Sequence, residues 1–188
     1  MAVRTMLGGF LVWGLYPLWL LAGAGDYFSH RATRIEHTSG PTESWLHVAE
    51  LGTIAVIFFC AVLLEITFAV LAIMVLALIA HTACSLIDVS YTIGRRHISS
   101  FEQLVHGFMN VIPIVAVCLL EIMHWETLAS APMLRWKDQP LSSPQIAWLL
   151  GSFIVLAGTP VLEELIRTRH TLTRSSEQDA VLTSAMSK

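Results

Sequence analysis

Residues 45–93 read WLHVAELGTIAVIFFCAVLLEITFAVLAIMVLALIAHTACSLIDVSYTI, a stretch with no lysine or arginine and with only three carboxylates, Glu50, Glu65 and Asp88. A helix that crosses the hydrocarbon core of a bilayer needs about 20 predominantly apolar residues. This stretch holds two such runs, Trp45 to Leu64 and Ile66 to Ile93, joined by little besides Glu65. So short a link predicts a tight antiparallel hairpin of spanning helices.

Working outward, three further apolar runs have spanning length: Leu7 to Gly25, Gly107 to Trp125 and Gln145 to Leu162. The last is the shortest and is interrupted by Gly151, Gly158 and Pro160, so a kinked, tilted or partly re-entrant fifth span is expected there. Arg4, the following apolar run and Ala22-Gly23-Ala24 also imitate a secretory leader. The length of the run, Pro17 and two tryptophans argue instead for a retained first span. The fold class expected is all-α: a polytopic membrane helical bundle of about five transmembrane helices over residues 1–170, then a short polar tail over 171–188. With 188 residues, 55% of them hydrophobic and 13% charged, the chain lies outside the range of ordinary soluble domains. A formal net charge of −3 offers no basic footprint for phosphates, so nucleic acid is not an expected partner.

Span alternation puts Arg4, Arg135 and Lys137 on one face. The opposite face receives Arg31, Arg34, Arg95, Arg96, Arg167, Arg169, Arg174 and Lys188. The positive-inside rule makes that second face cytoplasmic, with the N-terminus outside, the C-terminus inside and the cell (inner) membrane as the expected location. In this reading the four arginines at 31, 34, 95 and 96 are topology signals at headgroup level, and the tryptophans near span ends form an aromatic belt.

Seven of the eight histidines fall on the same half, leaving only His124 on the other. Spacing brings several of them beside carboxylates, because residues three, four or seven apart share a helix face. The segments are Asp26-x-x-x-His30, Glu43-x-x-x-His47-x-x-Glu50, His81-x6-Asp88 with Cys84 and Ser85 between, and Glu102-x-x-x-His106-x-x-x-Asn110. Thr42 or Ser44 is the expected helix cap near Glu43, after the Gly40-Pro41 turn.

Imidazole and carboxylate without thiolate form a donor set suited to iron, manganese or zinc, and bundled di-iron sites draw such ligands from facing helices. Ionisable groups at membrane depth are expensive and mark function by default. Asp26, His30, Glu43, His47, Glu50, His81, Asp88 and His106 are therefore the candidate metal ligands. His81 and Asp88 stand roughly 10 Å apart along the helix axis, too far for one ion, so a two-metal site between them is expected. Cys60, Cys84 and Cys118 lie inside apolar runs with no metal-binding spacing and read as small core residues. Glu121-x-x-His124 is an outer-surface pair, and Glu163-Glu164 caps or solvates the end of the fifth span, with facing the cluster as the lesser reading.

The expected function is a metal-dependent oxidoreductase holding two divalent ions, iron foremost, and acting on a lipid or quinone-like substrate with a cytoplasmic electron donor. Three other readings fit the same residues. One is a b-haem electron carrier using a pair from His47, His81 and His106. The others are a proton or metal-ion transporter and a non-catalytic assembly subunit, the last satisfied by a purely structural polar network.

Overall fold

A computed structural model describes residues 2–128, 134–138 and 141–186. Among these residues the chain is all-α, with five helices long and apolar enough to cross a membrane: Val3–Thr33, Pro41–Leu63, Phe68–Thr92, Ser100–Glu126 and Ser143–Met186. The bundle is turned inside out relative to a soluble domain. Leu21, Leu76, Ile79 and Leu86 are each more than 60% exposed, whereas Glu43, Glu102 and Thr168 are fully buried. Apolar side chains cover the outside because lipid, not water, is the solvent they meet.

The second and third spans form the expected hairpin, joined by Leu64–Thr67, where the Thr67 hydroxyl accepts from the Val70 amide at 3.3 Å and caps the third helix. The 134–138 segment clips onto this hairpin through Glu65 N–H to Arg135 C=O (2.9 Å) and Lys137 N–H to Leu63 C=O (3.0 Å). The second and third spans pack chiefly on each other; beyond that hairpin the first span packs on the fourth, the second on the fifth and the third on the fourth.

Two spans are interrupted by π-helical turns, Leu11–Leu15 and Ile154–Gly158. Each lies shortly before a proline, Pro17 and Pro160. Proline has no N–H to donate and its ring crowds the carbonyl four residues back, and a locally widened turn relieves that conflict. The fifth span is thereby continuous, not re-entrant. It extends as helix to Met186, so the polar tail is helical and exposed over its described residues. Lys188, counted with the basic face, lies outside the described residues.

Three smaller expectations need correction. The second span is entered through Gly40 at φ +71°, with Pro41 in the first turn and no side-chain cap, so neither Thr42 nor Ser44 caps it. Glycine is required because that left-handed conformation disfavours a side chain. Of the cysteines only Cys60 is core; Cys118 is exposed and Cys84 half-buried, which is where helical rotation leaves them. Trp19 is likewise no belt residue: it is buried, stacked on Phe153 at 6.1 Å between ring centroids.

Candidate metal centre

Every span contributes to one buried cluster near the ends that carry His30, Pro41, Thr92, Ser100 and Glu164. Its organising residue is Glu164, 2% exposed, on the fifth span. One carboxylate oxygen lies 2.9 Å from His30 Nδ1 and the other 2.6 Å from His47 Nδ1. Held by the same carboxylate, the two imidazoles stack almost parallel, 4.6 Å between centroids and 6° between planes.

The opposite nitrogens, Nε2 of His30 and of His47, are buried and make no hydrogen bond. Around them stand carboxylate oxygens at contact distance but not at hydrogen-bond geometry. His30 Nε2 is 3.4 Å from Asp26 Oδ1 and 3.4 Å from Glu102 Oε1. His47 Nε2 is 3.6 Å from Asp88 Oδ1. Glu43 Oε1 is 3.9 Å from both, equidistant between the two rings. His106 Nε2 approaches Asp26 Oδ1 to 2.8 Å, yet that oxygen too lacks a hydrogen bond of acceptable geometry, as does Asp88 Oδ1. Two sets of donor atoms have the mutual spacing that a cation needs: Asp26, His30, Glu102 and His106, and His30, Glu43 and His47. They share His30.

This geometry has a chemical reading. A carboxylate that accepts from both Nδ1 atoms fixes both rings in the tautomer with a bare lone pair on Nε2. Lone pairs of nitrogen and carboxylate oxygen then face one another in a buried space, an arrangement that repels unless a metal cation or a proton sits between them. Protonating both Nε2 atoms instead would stack two imidazolium ions face to face. Among the described residues the carboxylates of Asp26, Glu43, Asp88, Glu102 and Glu164 converge on the two rings, and the arginine beside them is Arg96.

Arg96 does not face outward but is buried within the bundle. Gly94, at φ +84°, turns the chain after the third span, and the Arg96 side chain is 2% exposed. Its guanidinium donates to Glu43 at 2.6 and 3.1 Å and to Glu102 at 2.9 Å, with a second, closer contact to Glu102. Burial opposes its charge, but the hydrogen bonds and charges of Glu102 and Glu43 outweigh that and raise its pKa above the usual arginine value. Arg96 thus closes the loop end of the cluster. Arg95, beside it, lies over the Tyr91 ring instead.

Of the eight residues expected as ligands, Asp26, His30, Glu43, His47, Asp88 and His106 converge as described. Glu50 and His81 do not reach the tight groups. They line, with Asp26, His30, His47 and Glu164, a small cavity of about 60 Å³ on the mid-membrane side. His81 Nδ1 lies 3.3 Å from the Thr53 hydroxyl and its Nε2 is buried without a partner. The cluster is therefore centred on the His30–His47 pair and not between His81 and Asp88. Asn110 and Ser85 bond to each other at 3.0 Å and brace the third span against the fourth.

Glu164 corrects the expectation that both carboxylates of the Glu163-Glu164 pair are solvated: only Glu163 is, meeting Arg31 at 2.9 Å, Arg167 at 3.2 Å and the Tyr27 hydroxyl at 3.0 Å. A signal for Glu164 exists in the sequence. Pro160 and Val161 lie three and four residues after Ala157 and four and three before Glu164, hence near one helix face, and all four line the cavity beside the cluster. Comparison with protein-family models, with curated proteins and with solved structures gives no match.

Proposed function

We propose that this chain is a membrane metalloprotein that holds two neighbouring divalent ions at the His30–His47 cluster and uses them for redox chemistry on a lipid-soluble substrate. The observation that carries the reading is the pair of buried Nε2 atoms turned away from Glu164 toward unbonded carboxylate oxygens. One ion would take His30, Asp26, Glu102 and His106; the other would take His47 and Asp88; Glu43, equidistant from both rings, is the natural bridge. The nitrogen–oxygen donor set without thiolate suits iron or manganese, and such a centre supplies Lewis acidity and electron transfer when bound.

The protein's own part is orientation and exclusion of water. Glu164 holds the rings, Arg96 closes the loop end, and Trp19, Leu20, Leu51 and Ile54 keep the cavity side apolar. By the positive-inside rule the cluster lies toward the cytoplasm, where a soluble donor has access.

The competing readings fare less well on geometry. A haem held by two of His47, His81 and His106 needs a porphyrin-sized gap between the rings, whereas the cavity that His47 and His81 line is about 60 Å³ and His106 Nε2 lies 2.8 Å from Asp26 Oδ1. A transmembrane relay needs polar groups through the other half, but the buried side chains there include Ile57, Cys60, Val70, Met74, Ile112 and Val117, all apolar.

The test is elemental analysis of the full chain purified in mild detergent without chelator. About two iron or manganese atoms per chain are expected, with most of the metal lost in His47→Ala and in His30→Ala. A Soret band would transfer the case to the haem carrier. Metal-free protein that stays metal-free after anaerobic loading with iron or manganese would leave a structural network held by Arg96 as the better account.

A further inference from the structure

A second cavity, about 530 Å³, lies in the other half of the bundle between the first, second, fourth and fifth spans. Its size falls within the roughly 300–1,000 Å³ of ligand sites. Its length is walled mainly by apolar side chains such as Leu15, Phe58, Ile112 and Leu120; Lys137, its one Lys or Arg, stands with His124 and Gln145 at one end, and the Tyr16 hydroxyl farther in is engaged by the Leu149 carbonyl and Ser152. At the other end it is bounded by Trp19 and Ile54, which also line the small cavity beside Asp26, His30 and His47. The two cavities therefore share a wall, and the larger one leads toward the candidate metal centre.

We infer that the large cavity binds a single-chain amphiphile with an anionic head, its head at Lys137 and its hydrocarbon end at the Trp19–Ile54 wall facing the metal cluster. This identifies the substrate class of the proposed oxidoreductase and, in its last clause, rests on that reading. The binding itself does not.

Three features favour this ligand and this direction. An apolar chamber surrounded by helices rewards a flexible hydrocarbon chain, each buried methylene contributing about 0.8 kcal/mol. Among the described residues Lys137 donates one hydrogen bond, to the Ala61 carbonyl at 2.6 Å, and an ammonium has three donors, which leaves up to two for a carboxylate head. Burial holds its pKa below the usual lysine value, with Glu65 acting weakly in the other direction, and an anion at the mouth restores what burial removes. The space on the metal side, about 60 Å³, admits the end of a chain but not a ring-bearing head, which sets an acyl chain above a quinone.

The experiment uses the full chain in detergent and measures equilibrium binding of radiolabelled dodecanoate, with dodecanol and a short-chain quinone analogue as competitors. Saturable dodecanoate binding is expected. Dodecanol should compete at least tenfold more weakly, and Lys137→Gln should abolish that preference. Ala116→Trp, which places an indole in the chamber, should weaken dodecanoate binding tenfold or more, while both variants keep the wild-type metal content.

Non-saturable uptake, equal binding in Ala116→Trp with metal retained, or a quinone analogue that displaces dodecanoate at lower concentration would each overturn the assignment. If Ala116→Trp fails to fold, the dodecanoate-to-dodecanol ratio in Lys137→Gln decides: an unchanged ratio refutes the head-group placement. Dodecanoate binding to protein that holds no metal would keep the amphiphile site and remove only its link to redox chemistry.

Discussion

Glu164→Gln separates an oriented metal centre from a generic polar network. The carboxylate accepts from two imidazoles at once, at 2.9 and 2.6 Å, in a site 2% exposed. A glutamine keeps the shape, but its carbonyl accepts only one of the two N–H groups while its NH₂ turns a donor toward the other ring. That ring must then carry its proton on Nε2, where it no longer presents a lone pair to the cluster. Loss of such an outer partner costs about 10–100-fold in metal affinity, which is about 1.4–2.7 kcal/mol. The assay is competition of the purified chain against a chelating indicator, with Glu163→Gln as control, because Glu163 is partly exposed and meets Arg31, Arg167 and Tyr27 instead of the imidazoles. Glu164 variants whose affinity stays within twofold of the Glu163 control would refute the orientation of His30 and His47 by Glu164.

Other consequences can be checked with the same preparation. Arg96→Gln leaves Glu43 and Glu102 buried without their cation, and breaking a buried pair costs about 3–5 kcal/mol. The melting temperature of chelator-treated Arg96→Gln should fall well below chelator-treated wild type, and added metal should narrow the gap; equal melting of the two proteins would argue that Arg96 carries no such charge balance. Chelation of the wild-type chain should itself lower the melting temperature, since ligand at a hundred times its Kd stabilises by about 2.7 kcal/mol; an unchanged melt after verified metal removal speaks against a resident ion. His81→Ala should retain more metal than His47→Ala, because His81 lies beside the cavity and outside both donor groups; the reverse order would move the centre toward mid-membrane.

The parts of this account that were legible in the sequence are those governed by local periodicity. The hairpin of the second and third spans follows from two long apolar runs and a link too short for anything else. The pairing of Asp26 with His30 and of Glu43 with His47 follows from four-residue spacing, and the structure brings both pairs into one cluster. The residues that were missed depend on rotation and on the third dimension. Glu163 and Glu164 are adjacent, so a helix points them about 100° apart; only the face shared with Ala157, Pro160 and Val161 distinguishes the buried one. Arg95 and Arg96 are equally basic, and the turn at Gly94 decides which of them enters the bundle. Glu102 was visible beside His106, yet its burial against Arg96 needed the loop to fold back over the fourth span. His81 and Glu50 share the right chemistry but stand closer to the middle of the membrane, and spacing alone does not measure that offset.

The central claim is met most directly by anomalous diffraction from crystals of the intact chain grown without chelator, at the absorption edge of whichever metal elemental analysis finds. The account predicts two peaks roughly 3.5–4 Å apart, one within bonding reach of His30 Nε2 and the other of His47 Nε2, with Glu43 between them. A map without peaks, in which both Nε2 atoms are hydrogen-bonded to the surrounding carboxylates, would contradict it.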